Sequence, residues 1–497
     1  MSQAHDISII RINSVWSRVE ADSGIVRELS DAFTFEVPGA KFMPSYRKKY
    51  WDGKIRLIKA GTNKVYSGLV HSIEEWATDH GYSFGTDLDF KTEPKPLSFN
   101  KWYASGNRIE PREYQAKAIY SAQKYKRAIF LSPTASGKSL IIYTIARNLL
   151  SKIDGKVLIL VPTTSLVEQL YSDFQDYANG EWDVPSNCTR IYSGMPREDK
   201  RIVISTWQSL YDLPAKAFDP FGAVIGDECH LYKSKEISGL LEKMSFAEYR
   251  YGFTGTLDGS QTNKLILEGL FGKVIQVAST AQLVKDKHLA QFKINCIVID
   301  HSNDEKIKNK DNNYEEEIQY IIGSKNRNRF LTDLARSTKG NTLVLFSRVE
   351  THGKIIYDMI KEATDREVYF IYGGTETYIR EDVRKKVENA ENAIIVASTQ
   401  VFSTGINIKS LANIIFAYPS KSRVRTLQSI GRVLRLSEKK EISTIYDISD
   451  DLTWKDKKNY TYNHFVERLK IYTSEEFNYA IKKVRLEDLY GGNHLEL

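Results

Sequence analysis

The sequence predicts an α/β protein: two tandem parallel-sheet domains, preceded by a small α+β N-terminal domain and followed by a short helical C-terminal extension. Three observations point there. Short apolar runs rich in Val and Ile recur between helical patterns from residue 128 onwards. A proline-bearing break at 92–100 sets this region off from the N-terminus. After residue 452, Tyr, Phe and Leu mix with charges at helix-like spacing.

The N-terminal domain is expected over residues 1–96. Between Lys41 and Lys64 eight basic residues (Lys41, Arg47, Lys48, Lys49, Lys54, Arg56, Lys59, Lys64) stand against one acid, Asp52, with Phe42, Tyr46, Tyr50, Trp51 and Tyr66 interleaved. Cations neutralise phosphates and rings stack on bases or sugars, so the mixture suits a nucleic acid. A solvated charged face over a small aromatic core explains it equally well. Pro94 and Pro96, set among Lys, Glu and Ser in Thr92–Asn100, disfavour both helix and internal strand, and a domain boundary is placed there.

The first sheet domain, expected over 97–288, holds the runs Ala128–Leu131, Val157–Val161, Ile202–Ser205 and Ala223–Ile225. The second, over 289–451, holds Thr342–Phe346, Val368–Ile371, Ala393–Ala397 and Ile414–Ala417. Runs that are apolar at successive positions suit strands buried on both faces, as in parallel sheets covered by helices on each side. Ser279–Gln291 reads as a helical connector, polar His301–Asn313 as a loop or insertion, and 452–497 as a small helical cap.

With 497 residues, 41% hydrophobic and 27% charged, the chain has room for about three domains. No apolar run reaches the roughly 18 to 20 residues of a membrane span, and the N-terminus lacks the basic-then-apolar layout of a leader, so a cytoplasmic protein without a membrane partner is expected. Cys188, Cys229 and Cys296 lie far apart, without zinc spacing or disulfide density, and read as reduced thiols. The net charge of +7 leans towards a polyanionic partner without requiring one.

Ser132-Pro133-Thr134-Ala135-Ser136-Gly137-Lys138-Ser139 follows a strand-like run and precedes the helical pattern Leu140–Leu150. A loop in that position points backbone N–H groups and the positive end of a helix dipole at a phosphate. Thr134, Ser136 and Gly137 would then cradle ATP, Lys138 would reach the β and γ phosphates, and Ser139 would ligate Mg²⁺. Ser132 replaces the first glycine of the strict phosphate-loop pattern, and the strand-loop-helix context compensates. Asp227-Glu228-Cys229-His230 follows the run Ala223–Ile225. A carboxylate at a strand's C-terminal end can hold Mg²⁺ through water, as Asp227, while its neighbour Glu228 polarises the attacking water. His230 reads either as a relay between nucleotide and nucleic acid or as a polar residue satisfied locally. Upstream, in Glu110-Pro111-Arg112-Glu113-Tyr114-Gln115, the Gln115 amide suits an adenine edge; an exposed helix start is the other reading. Gln428-Ser429-Ile430-Gly431-Arg432-Val433-Leu434-Arg435 sets Arg432 and Arg435 three apart on one helical face. Planar, permanently charged guanidinium groups suit a phosphoryl transition state, so both are candidate arginine fingers from the second sheet domain.

These segments, with VPTTSL at 161–166, STWQSL at 205–210, TGT at 254–256 and ASTQVFSTGINI at 397–408, resemble in order the motif series of superfamily 2 helicases over roughly Arg108–Asp451. DECH, TGT and QSIGRVLR are similar to the group holding phage recombination helicases, XPB-type repair helicases and restriction-enzyme motors, and depart from the DEAD and SAT forms of DEAD-box RNA helicases. The N-terminal run Phe42–Leu57 resembles the phage members. The resemblance implies two RecA-like domains, ATP and Mg²⁺ as cofactors, and branched and single-stranded DNA as partner. RNA–DNA hybrids and single-strand-binding or recombination proteins are further partners consistent with it, in the host cytoplasm if the chain is phage-encoded. Carried over residue by residue, Pro162, Thr163, Thr206 and Gln208 of the first domain and Arg348, Ser398 and Thr399 of the second would grip nucleic acid beside Lys48, Lys49, Trp51, Lys54 and Arg56. His230, Thr254, Thr256 and Gln428 would couple the sites, and Arg112 and Gly405 would sit near the nucleotide. Branch migration, fork regression and 3′ to 5′ movement are also implied.

The sequence also bears on three rival functions. A restriction motor needs a nuclease, and Asp52-Gly53-Lys54 has the terminal form of such a motif without a Pro-Asp partner upstream. An ATP-switched clamp would not need Glu228, Arg432 and Arg435 together. An RNA-specific helicase is disfavoured by DECH and TGT.

Overall fold

A computed structural model describes residues 5–37, 39–59, 61–133, 135–192, 198–232, 235–257, 261–404, 408, 410–418 and 442–490. Two compact units divide the chain: residues 1–132 with 137–278, and residues 133–136 with 279–497.

In the first unit, Ile7–Arg11 and Trp16–Ala21 pair antiparallel, flanked by Phe84–Thr86 and Lys64–Tyr66. Ile7, Ile9 and Val19 point from this sheet onto helices Ser23–Ala32 and Val70–Asp79, whose Val26, Leu29, Val70 and Ile73 complete a small core. Leu265 of helix Gln261–Phe271 belongs to that core, so the N-terminal fold shares its interior with the sheet domain that follows. Gly68 marks the closest approach: a Cβ there would strike the carbonyl of Glu268 and lie 2.5 Å from that of Gly269.

The sheet domain of this unit has seven parallel strands in the order Cys188–Ile191, Ile202–Thr206, Lys156–Val161, Phe221–Gly226, Tyr249–Thr254, Arg127–Leu131, Val274–Gln276. In Lys156–Val161, Val157, Ile159 and Val161 enter one core while Leu158 and Leu160 enter the core on the other face. That two-sided burial is why the run is continuously apolar.

The second unit repeats the plan: seven parallel strands in the order Val368–Ile371, Ile394–Ser398, Asn341–Phe346, Leu411–Phe416, Ile442–Asp451, Gln291–Asp300, Tyr479–Val484. Leu343 and Leu345 face one core, Val344 and Phe346 the other. Two ion clusters are anchored on Ile442–Asp451. Asp450 takes Arg327 Nε at 2.9 Å and His301 Nε2 at 3.1 Å, and Asp447 takes Arg468 Nη2 at 2.7 Å and the Tyr472 hydroxyl at 2.8 Å.

Every strand expected from an apolar run is present, within a residue or a few of its expected limits. Two segments depart from expectation. His301–Asn313 contains a helix, Asn303–Asn309, opened by a reciprocal capping box in which Ser302 Oγ accepts from Glu305 N and Ser302 N donates to Glu305 Oε2. The C-terminal extension is helical over Tyr460–Ser474, but it also adds the strand Tyr479–Val484 to the second sheet, parallel to Gln291–Asp300. Among the described residues no helix is long and apolar enough to cross a membrane, and the three cysteines are free and buried.

Candidate active site

The strand Arg127–Leu131 ends at Ser132, whose N–H donates to Thr254 O at 2.8 Å. Ser136 turns back on the loop, its N–H and hydroxyl both donating to Pro133 O, at 3.2 and 2.6 Å. Gly137, at φ 78°, caps helix Lys138–Leu149. A side chain there would meet the Gln115 amide, whose Nε2 donates to Gly137 O at 3.4 Å while its Oε1 accepts from Arg112 N at 2.9 Å. Gln115 is therefore buried and bound to the loop backbone, which rules out the exposed-helix-start reading. Arg112 is half-buried, with Nη1 on the Tyr114 hydroxyl at 3.0 Å.

The acids sit two strands away, at the end of Phe221–Gly226, with Tyr249–Thr254 between. Asp227 N–H donates to Leu160 O, and the Asp227 carboxylate accepts from Glu228 N at 2.9 Å. Glu228 adopts a left-handed conformation, φ 49° and ψ 46°, at a cost on the order of 1 kcal/mol for a residue with a Cβ. The result is a tight chain of contacts. Lys138 Nζ lies 3.4 Å from Glu228 Oε1, Glu228 Oε2 lies 3.3 Å from His230 Nδ1, and His230 Nδ1 lies 2.9 Å from Thr254 Oγ1. Thr254 Oγ1 donates to Thr256 O at 2.8 Å, so it accepts from a protonated His230 Nδ1. Burial and the adjacent Glu228 push Asp227 up to about 6. For Glu228, burial acts upward, but Lys138 and His230 outweigh it and hold the carboxyl down at about 2. The local environment thus gives two neighbouring acids different proton affinities. Ser139 is turned to the Tyr177 hydroxyl at 2.7 Å, a partner 38 residues away that sequence spacing does not reveal.

Comparison with known proteins settles the family. Residues 108–259 match the type III restriction enzyme res subunit, 6–87 match the N-terminal domain of the DNA helicase UvsW, and 326–437 match the helicase conserved C-terminal domain. The ATP-dependent DNA helicase uvsW of Enterobacteria phage T4 is 34% identical over 97% of this chain and 99% of its own length. This chain belongs to the UvsW family. The crystal structure of T4 UvsW superposes with a TM-score of 0.52 at 32% identity, covering 97% of this chain and all of that one. The DNA 3′–5′ translocase XPB2 of Sulfurisphaera tokodaii is 24% identical over 68% of this chain and 81% of its own length. The expected membership of superfamily 2, the tandem RecA-like plan and ATP-dependent helicase activity all accord with UvsW.

The remaining candidate residues fall into four groups. Gln208, Thr399 and Pro162 are exposed or half-buried at strand ends. Thr163 Oγ1 caps helix Thr164–Ala178, Thr206 Oγ1 bonds Ser209 Oγ at 2.9 Å, and Arg348 pairs with Glu315 at 2.6 Å. Ser398 is buried, with its hydroxyl unpartnered. Thr134, Gly405, Gln428, Arg432 and Arg435 lie outside the described residues.

In the N-terminal patch Lys48, Lys49 and Lys54 are exposed. Trp51 and Arg56 are committed elsewhere: Trp51 Nε1 donates to Lys54 O at 2.8 Å, and Arg56 pairs with Asp52 at 2.5 Å. Tyr66 stacks on Trp16 and donates to Glu242. The exposed rings are Phe42, 76% accessible, and Tyr50, 85% accessible. Both stand in the basic run, yet composition alone does not separate them from Trp51.

Proposed function

We propose that the chain is an ATP-dependent DNA helicase and translocase that remodels forks, Holliday junctions and R-loops in phage-type recombination, repair and replication. The series Lys138–Glu228–His230–Thr254 carries this reading, because it joins the phosphate loop to a second strand end through the acid that would act on water. Mg²⁺ and ATP, when bound, supply charge neutralisation and the transferable phosphoryl group, and the hydroxyl of Ser139 and carboxylate of Asp227 are the hard oxygen donors that would hold the metal.

Lys138 would hold the phosphates of a bound nucleotide, and turning away from Glu228 to do so would remove a charge that depresses the carboxyl's pKa, making Glu228 a stronger base towards water. His230 remains between Glu228 and Thr254, so a change at the acid reaches the segment holding Thr254 and Thr256. Arg432 and Arg435 would supply the guanidinium charge of the transition state, Gly405 would serve near the nucleotide, and Gln428 would act with His230, Thr254 and Thr256 in coupling the sites. Arg112, Thr134, Ser136 and Gly137 complete the nucleotide contacts, Gln115 acting through the loop backbone.

DNA is gripped by its backbone at Pro162, Thr163, Thr206 and Gln208 in the first sheet domain, and at Arg348, Ser398 and Thr399 in the second, so binding is salt-sensitive and largely sequence-independent. Lys48, Lys49 and Lys54, with Phe42 and Tyr50, give the preference for branches. We assign residues 1–96 to this DNA-binding domain, 97–288 and 289–451 to the two motor domains and 452–497 to the extension. RNA–DNA hybrids, single-strand-binding proteins and a cytoplasmic setting belong to the same proposal.

ATPase and strand-displacement rates on matched fork, four-way junction, R-loop and linear duplex test it. Branched substrates should exceed the linear duplex by about tenfold. Equal rates would sink the branch preference, and turnover indifferent to DNA would sink the motor.

A further inference from the structure

The run Trp454-Lys455-Asp456-Lys457-Lys458-Asn459-Tyr460-Thr461-Tyr462 mixes aromatic and basic residues, three lysines against one acid, and has no part in the sites described so far. It leads from strand Ile442–Asp451 into helix Tyr460–Ser474. Glu317 of helix Tyr314–Gly323 is buried and pins the start of the second helix. Its Oε2 accepts from Tyr460 N at 2.9 Å, and its Oε1 accepts from Thr461 N at 2.7 Å and Asn459 Nδ2 at 2.8 Å. A buried carboxylate cannot give up such donors without leaving charge unsolvated, so the two helices are fixed to each other.

That clamp sets two rings side by side at the surface. Tyr314 and Tyr460 meet edge to face with centroids 6.0 Å apart, and they remain 37% and 46% accessible. His464, one turn on from Tyr460, backs Tyr314 at 5.5 Å. Arg348 adjoins the pair: its Nη2 donates to Glu315 Oε2 at 2.6 Å, and the Tyr418 hydroxyl bonds both Arg348 and Tyr314. With five N–H donors, the guanidinium can serve Glu315 and Tyr418 and still meet a phosphate oxygen. Asn459 Nδ2 also donates to Asp450 O at 3.1 Å, which holds the ring pair at the edge of the sheet where Ser398 ends its own strand.

We infer that Tyr314 and Tyr460 form a stacking platform for an unpaired base of the DNA strand whose phosphate Arg348 holds. The inference rests on the backbone grip proposed for Arg348. An unpaired base offers a free π-face, which a base stacked within a duplex does not, and stacking accepts any of the four bases. Because the rings are already fixed, little ordering is lost when a base settles on them. Lys455 and Lys458 are exposed beside the platform and suit the neighbouring phosphates, while Lys457 Nζ is spent on Lys310 O at 2.7 Å. Asp456 and Glu315 offset part of that charge, so stacking supplies most of the affinity.

The test uses the full-length protein with a labelled oligothymidylate, read by fluorescence anisotropy, and with the same strand carrying 5-iododeoxyuridine for photo-crosslinking. Tyr314→Ala and Tyr460→Ala should each weaken single-strand binding by about fivefold or more, and Tyr460→Phe should keep it within about twofold. Peptide mapping of adducts in the unmodified protein should find Tyr314 or Tyr460; this readout needs no substitution and decides the matter if an alanine variant does not fold. Losses below about threefold in both alanine variants, with adducts at neither ring, would overturn the platform. An equal loss on blunt duplex would overturn it too, since that marks a backbone contact. Arg348→Gln separates the platform from the grip: unchanged affinity there refutes the grip, whereas lost affinity there beside unaffected tyrosine variants refutes the platform alone.

Discussion

Lys138 Nζ and Glu228 Oε1 stand 3.4 Å apart, so the phosphate-binding cation and the expected general base hold each other. Burial acts against the charge on Lys138, but Glu228 and Asp227 outweigh it and raise its pKa. Replacing either partner should be read out differently. Lys138→Ala should abolish turnover and weaken nucleotide binding. Glu228→Gln keeps the shape and removes the base, so turnover should fall by about 10²–10⁴-fold with nucleotide affinity within a few-fold. Fluorescent-nucleotide titration beside steady-state ATPase assays checks both; normal turnover in either variant would refute the site.

His230 touches Glu228 and Thr254 together. His230→Ala should therefore leave basal hydrolysis within about threefold while cutting the DNA-stimulated rate by about 5–150-fold. ATPase rates across a DNA titration decide it, and equal loss of both rates would make the histidine a structural residue.

In the N-terminal patch, Phe42→Ala and Tyr50→Ala should each weaken binding to unpaired or branched DNA by about 1–3 kcal/mol, with little change in folding. Trp51→Ala should instead lower the melting temperature, because its side chain is half-buried and its N–H is spent on Lys54 O. Fluorescence anisotropy at two salt concentrations, paired with thermal melts, separates the effects.

The second unit should have a stability optimum near pH 6.5. Burial opposes the charge on His301, but Asp450 and Glu305 outweigh it and lift the imidazole to about 9, so its contribution is complete below about 6.5 and is lost as pH rises through 9. His352 is the opposite case. Burial, then the Arg327 charge, push it down to about 3, so its contribution is present above about 6.5 and is lost as pH falls towards 3. The alkaline limb is worth at most about 3 kcal/mol and the acid limb at most about 5 kcal/mol. Hydrogen exchange of amides in Gln291–Asp300, in the full chain, should follow this profile; His301→Gln should flatten the alkaline limb and His352→Phe the acid limb.

The phosphate loop and DECH were legible because each is a local pattern next to a strand whose two-sided burial shows as an apolar run. What escaped was decided by partners distant in sequence. Ile442–Asp451 carries Asp447 and Asp450 inside a buried strand, tolerable only because Arg468 and Arg327 reach them. Tyr479–Val484 is an edge strand with two lysines, so no apolar run announces it. Ser302 and Glu305 did spell a capping box, outvoted by the polarity of the surrounding segment. Trp51 and Tyr50 are neighbours of one type, and only packing tells which ring is free.

Gly68 lies so close to the backbone of helix Gln261–Phe271 that no side chain fits between them. The N-terminal fold is consequently a passenger of the first motor domain, unable to swivel independently through the catalytic cycle. A dye pair placed either side of this seam should report one constant distance with and without nucleotide, because a movement of the first sheet domain carries the N-terminal fold with it.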